Sequence, residues 1–421
     1  MEAELDQLLA SAKQAARALE GPLAPLVDDA LRLSQNPDSQ SQSGALRAKI
    51  LDTIQTLGRI QQALAPPQVA FMDAIFAATN TQILVCAARY GLADILHSRG
   101  PLAVPELAAA CGMDAAACGQ IVRYLVEMGF FSLKHTNSSG AGDGGVPAVV
   151  VDNNRTSQLL RTDHWTTWHN WVGLYAGEHY DILPRLPDAV AQGQRRTAAQ
   201  LFYDTDEPIY EVMERMGTTA AFHRAIGAFS IAEAPGLLAD YPWAEVRDEV
   251  VTDIGAGAGD FVWHYLRAFP AARAAAFELP QTAELIRTRF ESAGDDVRGR
   301  LVEVGGGDFF KNALPRSAVY FLKFVFHNWD DEHCVTLLKR IRESMVLKPG
   351  VSRVVVGEHI ILDGKLGSFA RYADIRMLSR VKNRERTLEE YRVIAERGGF
   401  TLHEVVSPRG CLTQVMDLRP V

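Results

Sequence analysis

The sequence predicts a doubly wound, Rossmann-like α/β domain preceded by a helical region, on three observations. A β-branched run, Val250 to Ile254, passes through the turn GAGAG into an amphipathic stretch. From there to the C-terminus apolar runs of strand length alternate with helical patterns, which predicts a parallel sheet with helices on both faces. Before Val250, apolar residues recur at helical spacing along most of the chain.

Taken in order, residues 3–33 and 45–65 read as helices separated by the polar linker SQNPDSQSQSG, and the second stops at Pro66 and Pro67. From Pro67 to Leu160 the pattern is a run of helices, with Pro105 near one start and a turn at Gly112, followed by FFSLKH, a glycine-rich tip and AVVVDN. This resembles a winged helix-turn-helix unit. Residues 161–245 read as a mostly helical connector with aromatic clusters. The expected division is 1–66 helical extension, 67–160 winged-helix dimerisation domain, 161–245 connector contributing to a substrate pocket, and 246–421 cofactor domain.

Composition narrows the function classes. The 421 residues are 48% apolar and 22% charged, enough for sizeable cores, with a formal charge of -8. An acidic chain must concentrate basic residues locally to bind nucleic acid, and Asp114 to Met128, the would-be recognition helix, carries only Arg123. A winged-helix DNA-binding regulator is therefore the weakest alternative, and no nucleic-acid partner is expected. The acidic start MEAELDQLLA is unlike a signal peptide, and no apolar run reads as a bilayer span, so a cytoplasmic protein without a membrane partner is expected. Five cysteines form no CxxC pair, and no His, Cys and carboxylate set has metal-ligand spacing, so no metal is expected.

The glycine turn alone says only nucleotide. Gly255, Gly257 and Gly259 let the backbone approach a ligand where a Cβ would collide. Its continuation is more specific. ARAAAFELP ends a strand at Glu278, able to take both hydroxyls of a ribose, and RLVEVGGGDFF ends at Asp308, placed to accept from the adenine amine. SAVYFLKFVFHNWDDE leaves Lys323 and His327 where a strand meets the next helix. In open α/β sheets these ends converge on one crevice.

With DIGAGAG, FELP, GGGDFF, FLKFVFHNWDDEHC, GEHIIL, ADIRML and RERTLEEYRVIAERGGF in one order, the chain resembles the plant and fungal small-molecule O-methyltransferases of the caffeic-acid and flavonoid type. The resemblance spans most of residues 65 to 405. It implies an S-adenosyl-L-methionine site formed by Asp253, Gly255, Gly257, Glu278, Asp308, Phe309 and Lys323, and a homodimer acting on a small-molecule natural product. It also implies that His327 is the general base, flanked by Glu358 and Glu385. A neutral histidine can take the hydroxyl proton during in-line methyl transfer, and a carboxylate on its other nitrogen fixes the tautomer. Trp165, Trp168, Phe222 and Met377 are candidates for an apolar acceptor pocket.

Two departures leave an alternative open. Val381, Lys382 and Asn383 stand where the family commonly has a glycine pair, and Lys323 stands where fungal relatives often have arginine. Some fungal proteins of this fold catalyse dehydration and pericyclic cyclisation without methyl transfer. In such a pericyclase Lys323 would activate a substrate carbonyl, and Thr218 and Thr219 could hold a second polar atom.

Overall fold

The computed structural model describes residues 2–31, 44–135, 149–292, 294–362 and 368–421. These form two compact units: Pro66–Ile231 with Asp374–Arg384, and Met1–Ala65 with Ala232–Ala373 and Glu385–Val421. Residues 161–245, expected as one connector, divide between the two at Ile231.

In the first unit, helices Pro67–Arg89, Leu92–Arg99, Val104–Cys111 and Ala115–Glu127 lead into an antiparallel pair, β1 (Phe131–His135) and β2 (Val149–Asn153). Gly112 ends the third helix with φ +74°, and Asp114 caps the fourth by accepting from Ala117 N. Leu92, Leu96, Leu107, Val122, Leu125 and Phe131 form the core. The tip of the expected wing and most of the expected linker lie outside the described residues. The Pro67–Arg89 helix corrects one expectation. By length and composition alone it could cross a bilayer. Its sequence mixes Asp73, Asn80 and small residues among apolar ones, so it does not read as a continuous apolar run.

The second unit holds helices Glu2–Glu20, Ala24–Leu31 and Gly44–Leu64, and a seven-stranded sheet. Its strands are β3 (Val250–Ile254), β4 (Arg273–Glu278), β5 (Leu301–Gly306), β6 (Val319–Lys323), β7 (Arg353–Glu358), β10 (Phe400–Val406) and β11 (Gln414–Pro420), in the order β10-β11-β7-β6-β3-β4-β5. Side chains alternate between two cores: Val319, Phe321 and Val355 pack with Trp243 and Tyr265, while Tyr320, Leu322, Val354 and Val356 pack with Leu338 and Ile394. That period of two, buried on both faces, is the signature of a doubly wound sheet. The parallel expectation needs one correction. β11 runs antiparallel to both β10 and β7, because the short link from Val406 to Gln414 makes a hairpin, whereas a parallel return needs a crossover of about a dozen residues or more.

A two-residue parallel pair, β8 (Ile360–Ile361) with β9 (Arg386–Thr387), lies just beyond β7. It sets Ile360 opposite Arg386, and so brings Glu385 alongside Glu358.

Candidate active site and cofactor crevice

Strand order places the sequence-predicted residues along one edge of the sheet: Asp308 after β5, Glu278 ending β4, the glycine turn after β3, and Lys323 ending β6. Gly255, Gly257 and Gly259 all have positive φ. A Cβ on Gly255 would lie 2.8 Å from Val325 Cγ2, so only glycine lets β3 turn this close to the chain leaving β6. Gly257 N donates to Glu278 Oε2 (3.0 Å) and Leu279 N to Glu278 Oε1 (2.7 Å), fixing the carboxylate while leaving each oxygen further acceptor capacity. A Cβ on Gly257 would meet nothing within 4 Å among the described residues, so that backbone is open to a ligand. Asp308 accepts from Phe310 N and pairs with Lys311, which holds its carboxyl below the usual range. Phe309 is half-buried against Phe310 and Trp329. Asp253 is buried, and desolvation together with Glu278 pushes its carboxyl well up, with Lys323 opposing. Donors, acceptors and an open glycine turn fit a nucleoside carrying an amino-acid tail.

His327, the candidate base, is built next to this crevice. After Lys323 the chain passes through Phe324, a non-glycine residue at φ +57°, into a short 3-10 helix, Phe326–Asn328. Phe324 stacks on the His327 ring, with centroids 5.5 Å apart and planes 11° apart. Val325 N and Phe326 N both donate to Glu358 Oε1, at 3.0 and 2.8 Å. His327 Nδ1 lies 3.0 Å from Glu385 Oε1 and 3.5 Å from Glu358 Oε2. All three residues are buried. Desolvation raises Glu358 to about 7 against the opposing pull of His327, and Glu385 adds to the rise.

These ligand-capable atoms lie within 4.8 Å of one another, so the expectation that no His, Cys and carboxylate set has metal-ligand spacing is corrected in geometry. Spacing along the chain missed it because β8 and β9 bring the acids together through the fold.

Comparisons with known proteins identify the family. The family model described as an O-methyltransferase domain matches residues 185–401, and that of the O-methyltransferase dimerisation domain matches residues 72–163. The chain is 50% identical over its full 421 residues to the O-methyltransferase hasC of Aspergillus fumigatus, covering 94% of that protein.

The chain belongs to the O-methyltransferase family. It is also 34% identical to the O-methyltransferase verK of Clonostachys rogersoniana, with all of both chains covered. Human N-acetylserotonin methyltransferase, solved with S-adenosylmethionine, matches with a TM-score of 0.70 at 21% identity over 85% of this chain and 99% of that one, a likeness of fold. Members of the family are S-adenosylmethionine-dependent enzymes, and this O-methyltransferase is one of them.

Two residues of this O-methyltransferase's site were missed in its sequence. Arg386, fully buried beside Glu385, donates to Asp331 Oδ1, Phe326 O and Trp329 O, clamping both ends of the His327 turn. Its place inside RERT was the available signal. Glu233 pairs with Lys323 at 2.9 Å, and nothing local in the sequence marks it.

The acceptor-pocket candidates all belong to the helical unit. Trp168 packs on Trp171 and Phe229. Phe222 packs near Tyr210 and beneath Arg380. Trp165 has a ring contact with His164, and Met377 is buried. Thr218 turns its hydroxyl onto Met213 O at 3.4 Å, so its expected hold on a substrate atom competes with an internal bond. Thr219 Oγ1, His179 Nδ1 and Trp168 Nε1 are buried without a partner among the described residues. Burial and the neighbouring Arg380 and Arg376 push His179 down to about 4.

In the altered loop Lys382 adopts φ +56°, a left-handed conformation that favours glycine.

Proposed function

We propose that this chain methylates a hydroxyl of a small aromatic or polyketide-type natural product, with His327 as general base. The carrying observation is the buried His327 ring with two glutamates at Nδ1. Carboxylates there keep the proton on Nδ1, leaving Nε2 to accept the hydroxyl proton, and they stabilise the imidazolium that results. Arg386 and the Glu358 contacts to backbone amides hold the ring in place. The Glu358 contacts also favour reading the three residues as a braced base over a metal centre, since Glu358 Oε1 already accepts from two backbone amides.

When bound, S-adenosylmethionine supplies an electrophilic methyl. Asp308 would hold its adenine, Glu278 its ribose, and the glycine turn with Asp253 its amino-acid end. Phe309 and Lys323 complete the set. Trp168, Phe222, Met377 and Trp165 remain candidates for the acceptor, and Thr219 joins Thr218 as a polar contact.

Replacing His327 with Ala should leave cofactor binding intact and lower turnover about 10²-fold or more. Unchanged turnover would remove His327 as the base. Cyclisation without methyl transfer remains the second reading, and the Glu233–Lys323 ion pair weighs against it because it engages the ammonium that would polarise a carbonyl. Incubating the enzyme with methyl-labelled cofactor and candidate acceptors separates the two, since a pericyclase transfers no label.

The protein functions as a homodimer on this reading. The dimerisation-domain match and the exposed Val69, Phe71, Met72, Ile75 and Phe76 on the Pro67–Arg89 helix support it.

A further inference from the structure

Glu233 lies on the Thr219–Asp240 helix, far in sequence from every motif of the site, and it is almost fully buried. Its carboxylate is saturated. Oε1 accepts from Leu412 N (2.8 Å) and Thr413 N (3.0 Å), while Oε2 accepts from Thr413 Oγ1 (2.6 Å) and pairs with Lys323 Nζ (2.9 Å).

Lys323 stands between the two halves of the chemistry. It ends β6, which pairs with β3 and hence with the glycine turn, and its ammonium lies 4.6 Å over the Phe324 ring that stacks on His327. Its charge also acts on Asp253 and on His264 beyond the turn. A cationic ligand centre held between Glu278 and His327 would face this ammonium. Unopposed, Lys323 would repel a sulfonium and not its neutral thioether product. Around the crevice Asp260 is matched by Arg289 (2.6 Å), so Glu278 is left as the charge facing the ligand when Glu233 cancels Lys323.

We propose that Glu233 is a specificity-determining residue: by neutralising Lys323 it raises the crevice's affinity for the sulfonium cofactor relative to its demethylated thioether product. The inference rests on the cofactor reading given above. Glu233 acts through Lys323 and is a positioning residue in that sense, touching neither ligand.

The test is the ratio of affinities for S-adenosylmethionine and S-adenosylhomocysteine, measured by calorimetry on the full chain. Glu233→Gln keeps a side-chain acceptor toward Leu412 and Thr413 and removes the charge, so the ratio should fall about tenfold, the scale of one unpaired charge in a partly screened site. Lys323→Met leaves Glu233 unopposed and should move the ratio the other way. The double variant should return it toward the wild-type value. A role in packing alone would weaken both ligands in both variants and leave the ratio unchanged, which overturns the inference. If Glu233→Gln does not fold, the direction of the Lys323→Met shift decides, and a fall in the ratio there rejects the idea. Failure of the wild-type chain to bind either ligand would instead reject the cofactor reading itself.

Discussion

The two glutamates at His327 have unequal partners. Glu358 is fully enclosed and carries a carboxyl raised to about 7, whereas an exposed glutamate titrates near 4.3. Between those values the folded protein keeps a proton that the unfolded chain has lost. Stability from this group is therefore full below about pH 4 and falls as pH rises through 7. Thermal unfolding from about pH 5 to pH 8 should show a falling midpoint, and Glu358→Gln, which preserves an acceptor for Val325 N and Phe326 N, should flatten that fall. An identical slope in the variant would place the titrating proton elsewhere. Glu385 makes the shorter contact with Nδ1, so Glu385→Gln should cost more turnover than Glu358→Gln when each is assayed at about pH 7, the point where Glu358 is partly protonated. Equal losses would deny the asymmetry.

At the level of elements, two backbone positions carry unusual demands. The ideal Cβ of an alanine at Gly236 would lie 1.7 Å from Arg409 O, so the Thr219–Asp240 helix and the segment entering β11 touch backbone to backbone. Gly236→Ala should therefore cost about 3 kcal/mol or more by overpacking. It should also loosen Leu412 and Thr413 from Glu233, one turn away. Denaturant unfolding with an unchanged midpoint would contradict the contact. Lys382 presents the opposite case, since a left-handed lysine stores strain of about 1–2 kcal/mol. Lys382→Gly should stabilise the protein by up to about 1 kcal/mol, less the extra entropy glycine gives the unfolded chain. Loss of stability would mean that the lysine's bond to Gln194 O outweighs the backbone strain.

For the whole molecule, the exposed apolar face of the Pro67–Arg89 helix is the feature a single chain leaves unexplained. Phe71 is 66% exposed and Ile75 55%, levels at which aromatic and branched side chains normally find a partner. Replacing Phe71 and Phe76 together with Asp should shift the protein from dimer to monomer in light scattering, with monomeric S-adenosylmethionine binding retained. A wild-type chain that is already monomeric would overturn the homodimer.

The glycine turn, Glu278, Asp308, Lys323 and His327 were legible in the amino-acid sequence because each lies at the end of an apolar strand. Strand period and local turn chemistry place them on one edge without knowledge of distant contacts. The doubly wound sheet and the winged-helix-like unit followed from the same local signals, and the family from the resemblance carried by the ordered motifs. The antiparallel last strand, the Glu233–Lys323 pair and the Arg386 clamp did not, because each is set by a meeting of distant segments. His327 and Glu385 stand 58 residues apart and meet only through the pairing of β8 with β9. Sequence by itself determined which groups end the strands. Tertiary structure decided which charges those groups face, since burial removes water and leaves the pairing of side chains to set their ionisation.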